Sequence, residues 1–116
     1  MKPTIWHNPR CSKSRQTLEL LRSKGVEPAI REYLKEPPSK AEVEKLIDLV
    51  GGNPHDLLRD AEPEFKALGK KKADLGKAEV ARAIAAQPIL LQRPIVVAGS
   101  RAAIGRPPEA VLPLLK

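Results

Sequence analysis

The order in which apolar segments follow one another constrains this chain's fold more than any single motif. Thr4-Ile5-Trp6 is a short apolar stretch halted by the turn signal Asn8-Pro9, and it reads as a strand running into a loop. From Ser12 to Lys24, Ser14, Leu18 and Leu21 fall on one helical stripe with Thr17 and Leu20 beside it. Arg15, Glu19 and Arg22 line another face, and Gly25 supplies a left-handed stop. Ala29 to Leu34 alternates around Ile30 and Tyr33, reads as a second strand, and is closed by Pro37-Pro38. Ser39 and Glu42 form a capping box ahead of Val43, Leu46, Ile47 and Val50 at i, i+3, i+4 and i+7, and Gly51-Gly52 ends that helix. Further helices are predicted from Asn53-Pro54, from Glu62-Pro63 to Gly69, and over Lys77 to Ala86, so residues 39–86 form an all-helical block. Beyond it, Ile95-Val96-Val97 and Ala102-Ala103-Ile104 are strands joined at Gly99-Ser100 as a hairpin. Pro107-Pro108 then opens a closing helix with Val111, Leu112 and Leu115 inward, shortened or kinked by Pro113.

That order is satisfied by an α/β fold with a four-stranded mixed sheet, a thioredoxin-like plan carrying an all-helical insertion at about 39–86. With 116 residues and 41% apolar content the chain fits one domain over 1–116. Such a domain buries roughly two-thirds of its unfolded surface without staples. The longest apolar runs, Pro88 to Leu91 and Pro94 to Ala98, fall far short of the roughly 20 residues a spanning helix needs. No signal-like series opens the chain, so a cytoplasmic protein with no membrane partner is expected. A single cysteine excludes an internal disulfide, a Cys-x-x-Cys pair and a cysteine-based zinc site. With only His7 and His55 as further soft ligands, neither a metal nor a bound cofactor is expected.

The net charge is +7, and its distribution argues against nucleic acid. Residues 1–24 carry six basic groups against one acid and residues 87–116 four against one, whereas the middle is nearly balanced. Lys70-Lys71-Lys72 reads as a solvated loop. Three aromatic residues are too few for base-stacking platforms.

Cys11 carries the chemistry. A lone cysteine is usually a small buried hydrophobe. This one follows a loop containing Asn8 and Pro9, stands at a helix N-terminus and is flanked by Arg10, Lys13 and Arg15. Unpaired N–H groups, the helix dipole and the cations all favour thiolate over thiol. The same field holds an oxyanion within reach of the sulfur. The cysteine-phosphatase loop needs Cys and Arg separated by five residues; Cys11 and Arg15 leave only three. Arg15 is as well explained by i, i+4 pairing with Glu19 on a solvated face. His7 could polarise Asn8 or Ser14, lower the thiol's pKa when protonated, or simply be hydrogen-bonded at the strand end. Ser14 is close enough on the first turn to donate its hydroxyl to the sulfur, and His55 is expected to face water. Arg93 precedes Pro94 at a turn where a cis bond suits the topology. Arg59 and Arg106 are, by composition alone, ordinary surface residues, and nothing in spacing shows that these three arginines converge.

The stretch Ile5-Trp6-His7-Asn8-Pro9-Arg10-Cys11-Ser12-Lys13-Ser14-Arg15, with Leu57-Leu58-Arg59, Pro88-Ile89-Leu90-Leu91-Gln92-Arg93-Pro94-Ile95-Val96-Val97 and Gly105-Arg106-Pro107, resembles the glutaredoxin-linked arsenate reductase (ArsC) family over essentially the whole chain. The resemblance implies a thioredoxin-like fold with a helical insertion, a single essential cysteine at Cys11, and oxyanion binding by Arg59, Arg93 and Arg106. It also implies reduction of arsenate to arsenite with glutathione as co-substrate and glutaredoxin as partner; separately, a monomer is expected. Two other readings fit the residues. Cys11-Ser12-Lys13-Ser14 matches the Cys-x-x-Ser of monothiol glutaredoxins, which exchange glutathione with protein disulfides. The related Spx regulators bind RNA polymerase without such catalysis, and they commonly carry a second cysteine where Ser14 stands.

Overall fold

The computed structural model describes residues 2–115. Four strands, β1 (Thr4–His7), β2 (Ala29–Glu32), β3 (Ile95–Ala98) and β4 (Arg101–Ile104), form one mixed sheet in the order β2-β1-β3-β4. β1 and β2 are parallel, with Thr4 opposite Ala29 and His7 opposite Glu32. β1 and β3 are antiparallel, with Thr4 opposite Val97 and Trp6 opposite Ile95. β3 and β4 are antiparallel, with Ile95 opposite Ile104 and Ala98 opposite Arg101. The predicted Gly99-Ser100 hairpin is present, and Gly99 takes φ 63°, which a first turn position of this kind requires.

Helix α1 (Ser12–Ser23) joins β1 to β2 and buries Ser14, Thr17, Leu18 and Leu21, the predicted stripe. Leu18 and Leu21 pack with Ile5, Val96 and Val111 into one core, joined by the partly buried Val26, Ala103, Leu114 and Leu115. Each such side chain, when fully buried, contributes about 1.5–3 kcal/mol. The closing segment is a 3₁₀ helix over Pro108–Leu115. At three residues per turn, Pro108, Val111 and Leu114 share a stripe, so Leu114 joins the core where 3.6-residue spacing pointed to Leu112.

Residues 37–92 form a second compact unit, slightly wider than the predicted 39–86; the first comprises residues up to 36 together with those from 93 onward. Helix α2 (Lys40–Val50) carries the predicted capping box: Ser39 Oγ accepts from Glu42 N–H at 3.1 Å and Glu42 Oε1 accepts from Ser39 N–H at 3.0 Å. Helix α3 spans only Pro63–Lys66 rather than running to Gly69, leaving Leu68 exposed. Helix α4 (Lys77–Ala86) packs on α2, burying Val80, Ala81 and Ile84. Short 3₁₀ turns at Pro54–Leu57, Lys72–Asp74 and Pro88–Leu90 complete the unit, the first leaving His55 half-buried rather than fully in water. Among the described residues no helix is long and apolar enough to cross a membrane.

Candidate active site

Cys11 is the N-cap of α1, in extended backbone geometry, and its carbonyl accepts the first helical hydrogen bond from Arg15 N–H at 3.0 Å. The loop before it is a closed hydrogen-bonded turn. Asn8 Oδ1 accepts from Arg10 N–H at 3.0 Å, and Asn8 O accepts from Cys11 N–H at 3.0 Å. Arg15 Nη1 donates to Pro9 O at 2.7 Å, so this arginine staples the loop and does not simply line a solvated face.

Beneath the loop lies a buried polar chain. Ser14 Oγ accepts from Asn8 N–H at 3.0 Å and lies 2.7 Å from His7 Nδ1. The serine oxygen accepts from Asn8 and pairs with His7 Nδ1, and the tautomer of His7 sets which of the two donates. Burial lowers the pKa of His7; the Arg15 and Arg22 charges pull the same way, and Glu32 opposes them. The Ser14 hydroxyl is engaged with Asn8 and His7, and His7 is hydrogen-bonded at the strand end, one of the readings its position allowed.

What acts on the sulfur is the helix start and Arg93. Partial burial, the largest single influence, pushes the Cys11 thiol up. The backbone N–H of Ser14, the Arg93 guanidinium and the backbone N–H of Lys13 together outweigh it, and the net shift is downward from 9.0. A thiol so lowered is a better nucleophile near neutral pH.

Arg93 and Arg106 reach Cys11 through the sheet. Carried two pairs past Trp6–Ile95 and Ile95–Ile104, the β1–β3 register sets Asn8 opposite Arg93, and the β3–β4 register sets Arg93 opposite Arg106. The bonding agrees: Gly105 N–H donates to Pro94 O at 2.8 Å and Arg106 Nε donates to Arg93 O at 2.8 Å. Arg106 Nη2 then lies 3.6 Å from Cys11 Sγ. The Arg93–Pro94 bond is cis, as the turn suggested, and so is Arg106–Pro107. Gly105 lies tight against α1 and Pro94, since a Cβ there would stand 2.7 Å from Thr17 Oγ1 and 2.8 Å from Pro94 Cγ.

Arg59 belongs to the helical unit. The backbone pair Leu58–Leu91 places it, with Arg59 N–H donating to Leu90 O at 2.7 Å. Its Nε donates to Glu62 Oε1 and its Nη1 to Gln92 Oε1, each at 3.1 Å. Tyr33 was not singled out for the site by sequence reasoning. Tyr33 stands one residue beyond β2, where the β1–β2 register sets it beside Asn8, and such a register becomes visible only once the strands are paired.

A thiol of lowered pKa at a helix N-terminus, with the Lys13 and Ser14 N–H groups and the Arg93 and Arg106 guanidinium groups beside it on a thioredoxin-like sheet, is an arrangement suited to thiol chemistry on an anionic substrate. The chain belongs to the ArsC family, whose model matches residues 6–114. It is 41% identical over 116 residues to an arsenate reductase of Haemophilus influenzae, covering 99% of this chain and 100% of that one. An uncharacterised Escherichia coli K12 protein, YfgD, is 44% identical over 112 residues, covering 96% of this chain and 94% of its own. The solved structure of an arsenate reductase from Vibrio cholerae superposes with a TM-score of 0.92 at 40% identity, covering 98% of each chain.

Proposed function

We propose that this chain reduces arsenate to arsenite through Cys11, with glutathione and glutaredoxin supplying the electrons. The observation that carries the reading is the lowered Cys11 thiol with Arg93 beside it and Arg106 Nη2 at 3.6 Å from the sulfur. The relatives named arsenate reductase support it. The guanidinium groups of Arg93 and Arg106 hold the arsenate dianion, with Arg59 as a third ligand on the strength of the family motif. The Cys11 thiolate attacks arsenic, an oxygen leaves as water after protonation, and a sulfur–arsenic(V) ester forms. A glutathione thiolate attacks the Cys11 sulfur; the S–As bond breaks with its electron pair left on arsenic, which departs as arsenite. The resulting Cys11–glutathione disulfide is opened by a glutaredoxin thiolate, which takes the glutathionyl sulfur and returns the Cys11 thiolate. Two thiol electrons reduce each arsenate. Fixed donors around developing charge typically contribute a factor of about 10² to 10³ each. Such chemistry belongs in a reducing compartment, the cytoplasm, and needs one copy of the chain.

The test is NADPH oxidation coupled through glutathione reductase, glutathione and glutaredoxin, with and without arsenate. An arsenate-dependent rate that Cys11→Ser abolishes, while calorimetric oxyanion binding survives, supports the reading. Arg93→Ala should remove about 10²-fold of that rate and alter disulfide exchange only modestly. A rate independent of arsenate would replace this reading with thiol–disulfide exchange of the monothiol glutaredoxin kind.

A further inference from the structure

Tyr33 is fully buried, and among the described residues its hydroxyl has no well-formed hydrogen bond, although Asn8 and Arg93 lie near enough to act on it. Phenylalanine would fill the same space without that penalty, so the oxygen is a cost that packing does not explain. The extended register sets the row Tyr33, Asn8, Arg93, Arg106 across the four strands at the end of the sheet that bears Cys11. Asn8 and Arg93 are the side chains that act on the phenol most directly, with the Cys11 charge also felt.

We propose that Tyr33 is a positioning residue for the Cys11 site, its neutral phenol backing the Asn8 amide and the Arg93 guanidinium and completing its hydrogen bond when an oxyanion draws Arg93 into place. A hydroxyl suits this task better than a carboxylate. It orients a guanidinium through its lone pairs without cancelling the charge that must attract a dianion. Burial keeps it in that form, raising the phenol above 10.0 against the opposing pull of Arg93 and Asn8.

The proposal rests on the oxyanion chemistry above, and Tyr33→Phe in the full chain tests it without turnover. Protection of Cys11 from iodoacetamide by arsenate, phosphate and sulfate reads oxyanion affinity, and circular dichroism reads the melting temperature. The expected result is protection about tenfold weaker, with a melting temperature unchanged or higher. In an Arg93→Ala background the same substitution should change protection no further, because its effect passes through Arg93. Unchanged protection, a lowered melting temperature alone, or full additivity with Arg93→Ala overturns the proposal. Protection that responds as expected in a protein that does not reduce arsenate refutes the reductase reading and leaves Tyr33's role standing. No protection of the unaltered chain by any oxyanion refutes both.

Discussion

Replacing Ser14 by alanine removes one oxygen on which two buried groups depend. Ser14 is completely enclosed, Asn8 is 4% exposed and His7 is 6% exposed, so neither partner has ready access to water. Ser14→Ala leaves the Asn8 N–H, bonded at 3.0 Å, and the His7 Nδ1, at 2.7 Å, without their partner. An abandoned buried donor or acceptor costs about 1–3 kcal/mol, so two of them with partial relaxation cost roughly 2–4 kcal/mol. In a domain of about this size that lowers the melting temperature by roughly 10–20 °C. Guanidinium unfolding followed by circular dichroism should show a lower midpoint at unchanged slope. The effect should reach the sulfur, because the Asn8 carbonyl accepts from the Cys11 N–H at 3.0 Å and sets the turn that aims it. Alkylation of Ser14→Ala by iodoacetamide should therefore require a higher pH than alkylation of the unaltered chain. His7→Gln in the same background should cost less than it does alone, by more than about 0.5 kcal/mol, since contacting residues couple. A loss below about 0.5 kcal/mol for Ser14→Ala, or additivity of the pair, would refute the claim that this chain of bonds holds the loop.

Gly105→Ala should destabilise by roughly 1–3 kcal/mol in urea unfolding and slow any Cys11-dependent turnover. Its Cβ would meet Thr17 Oγ1 at 2.7 Å and Pro94 Cγ at 2.8 Å, and neither a buried threonine nor a ring carbon yields easily. Arg93→Ala should raise the pH at which Cys11 becomes reactive, because its guanidinium helps lower the thiol. Arg106→Ala, which removes an exposed cation 3.6 Å from the sulfur, should weaken oxyanion protection with a smaller effect on that pH. Equal shifts for the two would contradict this division. His7 has its pKa lowered from 6.5, so between its folded and unfolded values the unfolded chain binds the extra proton and stability rises with pH. Urea midpoints should hold above about pH 6.5, fall as the pH drops through that window, and flatten in His7→Gln.

The features of the fold that sequence reveals are those set by neighbours along the chain. Ser39 with Glu42, the left-handed Gly25 and Gly51, and the Gly99-Ser100 turn each depend on a few adjacent residues, and each stands where it was read. The closing segment is different: proline at 107, 108 and 113 removes the N–H donors that a 3.6-residue ladder needs, and a 3₁₀ helix over Pro108–Leu115 results. The site divides in the same way. Cys11 is readable because its activation begins with adjacent residues, a helix start and flanking N–H groups. Arg93, Arg106 and Tyr33 are drawn together by strand pairing across separations of up to 73 residues in the chain. No periodicity or local spacing carries that information; only the family resemblance anticipated the arginines, and nothing anticipated Tyr33.

That dependence ties the chemistry to register. Each strand has four residues, and a slip of one position turns every side chain to the opposite face. Arg93 would then leave the row that ends at Arg106, although much of the apolar core could still form. Two fixed points oppose the slip: Gly105 N–H on Pro94 O at 2.8 Å, and the tight approach of Gly105 to Thr17. The glycine beside Arg106 therefore does more than relieve a close contact. It locks the pairing that brings two guanidinium groups to the helix start where Cys11 is the cap, and so joins a packing constraint to the reactivity of the sulfur.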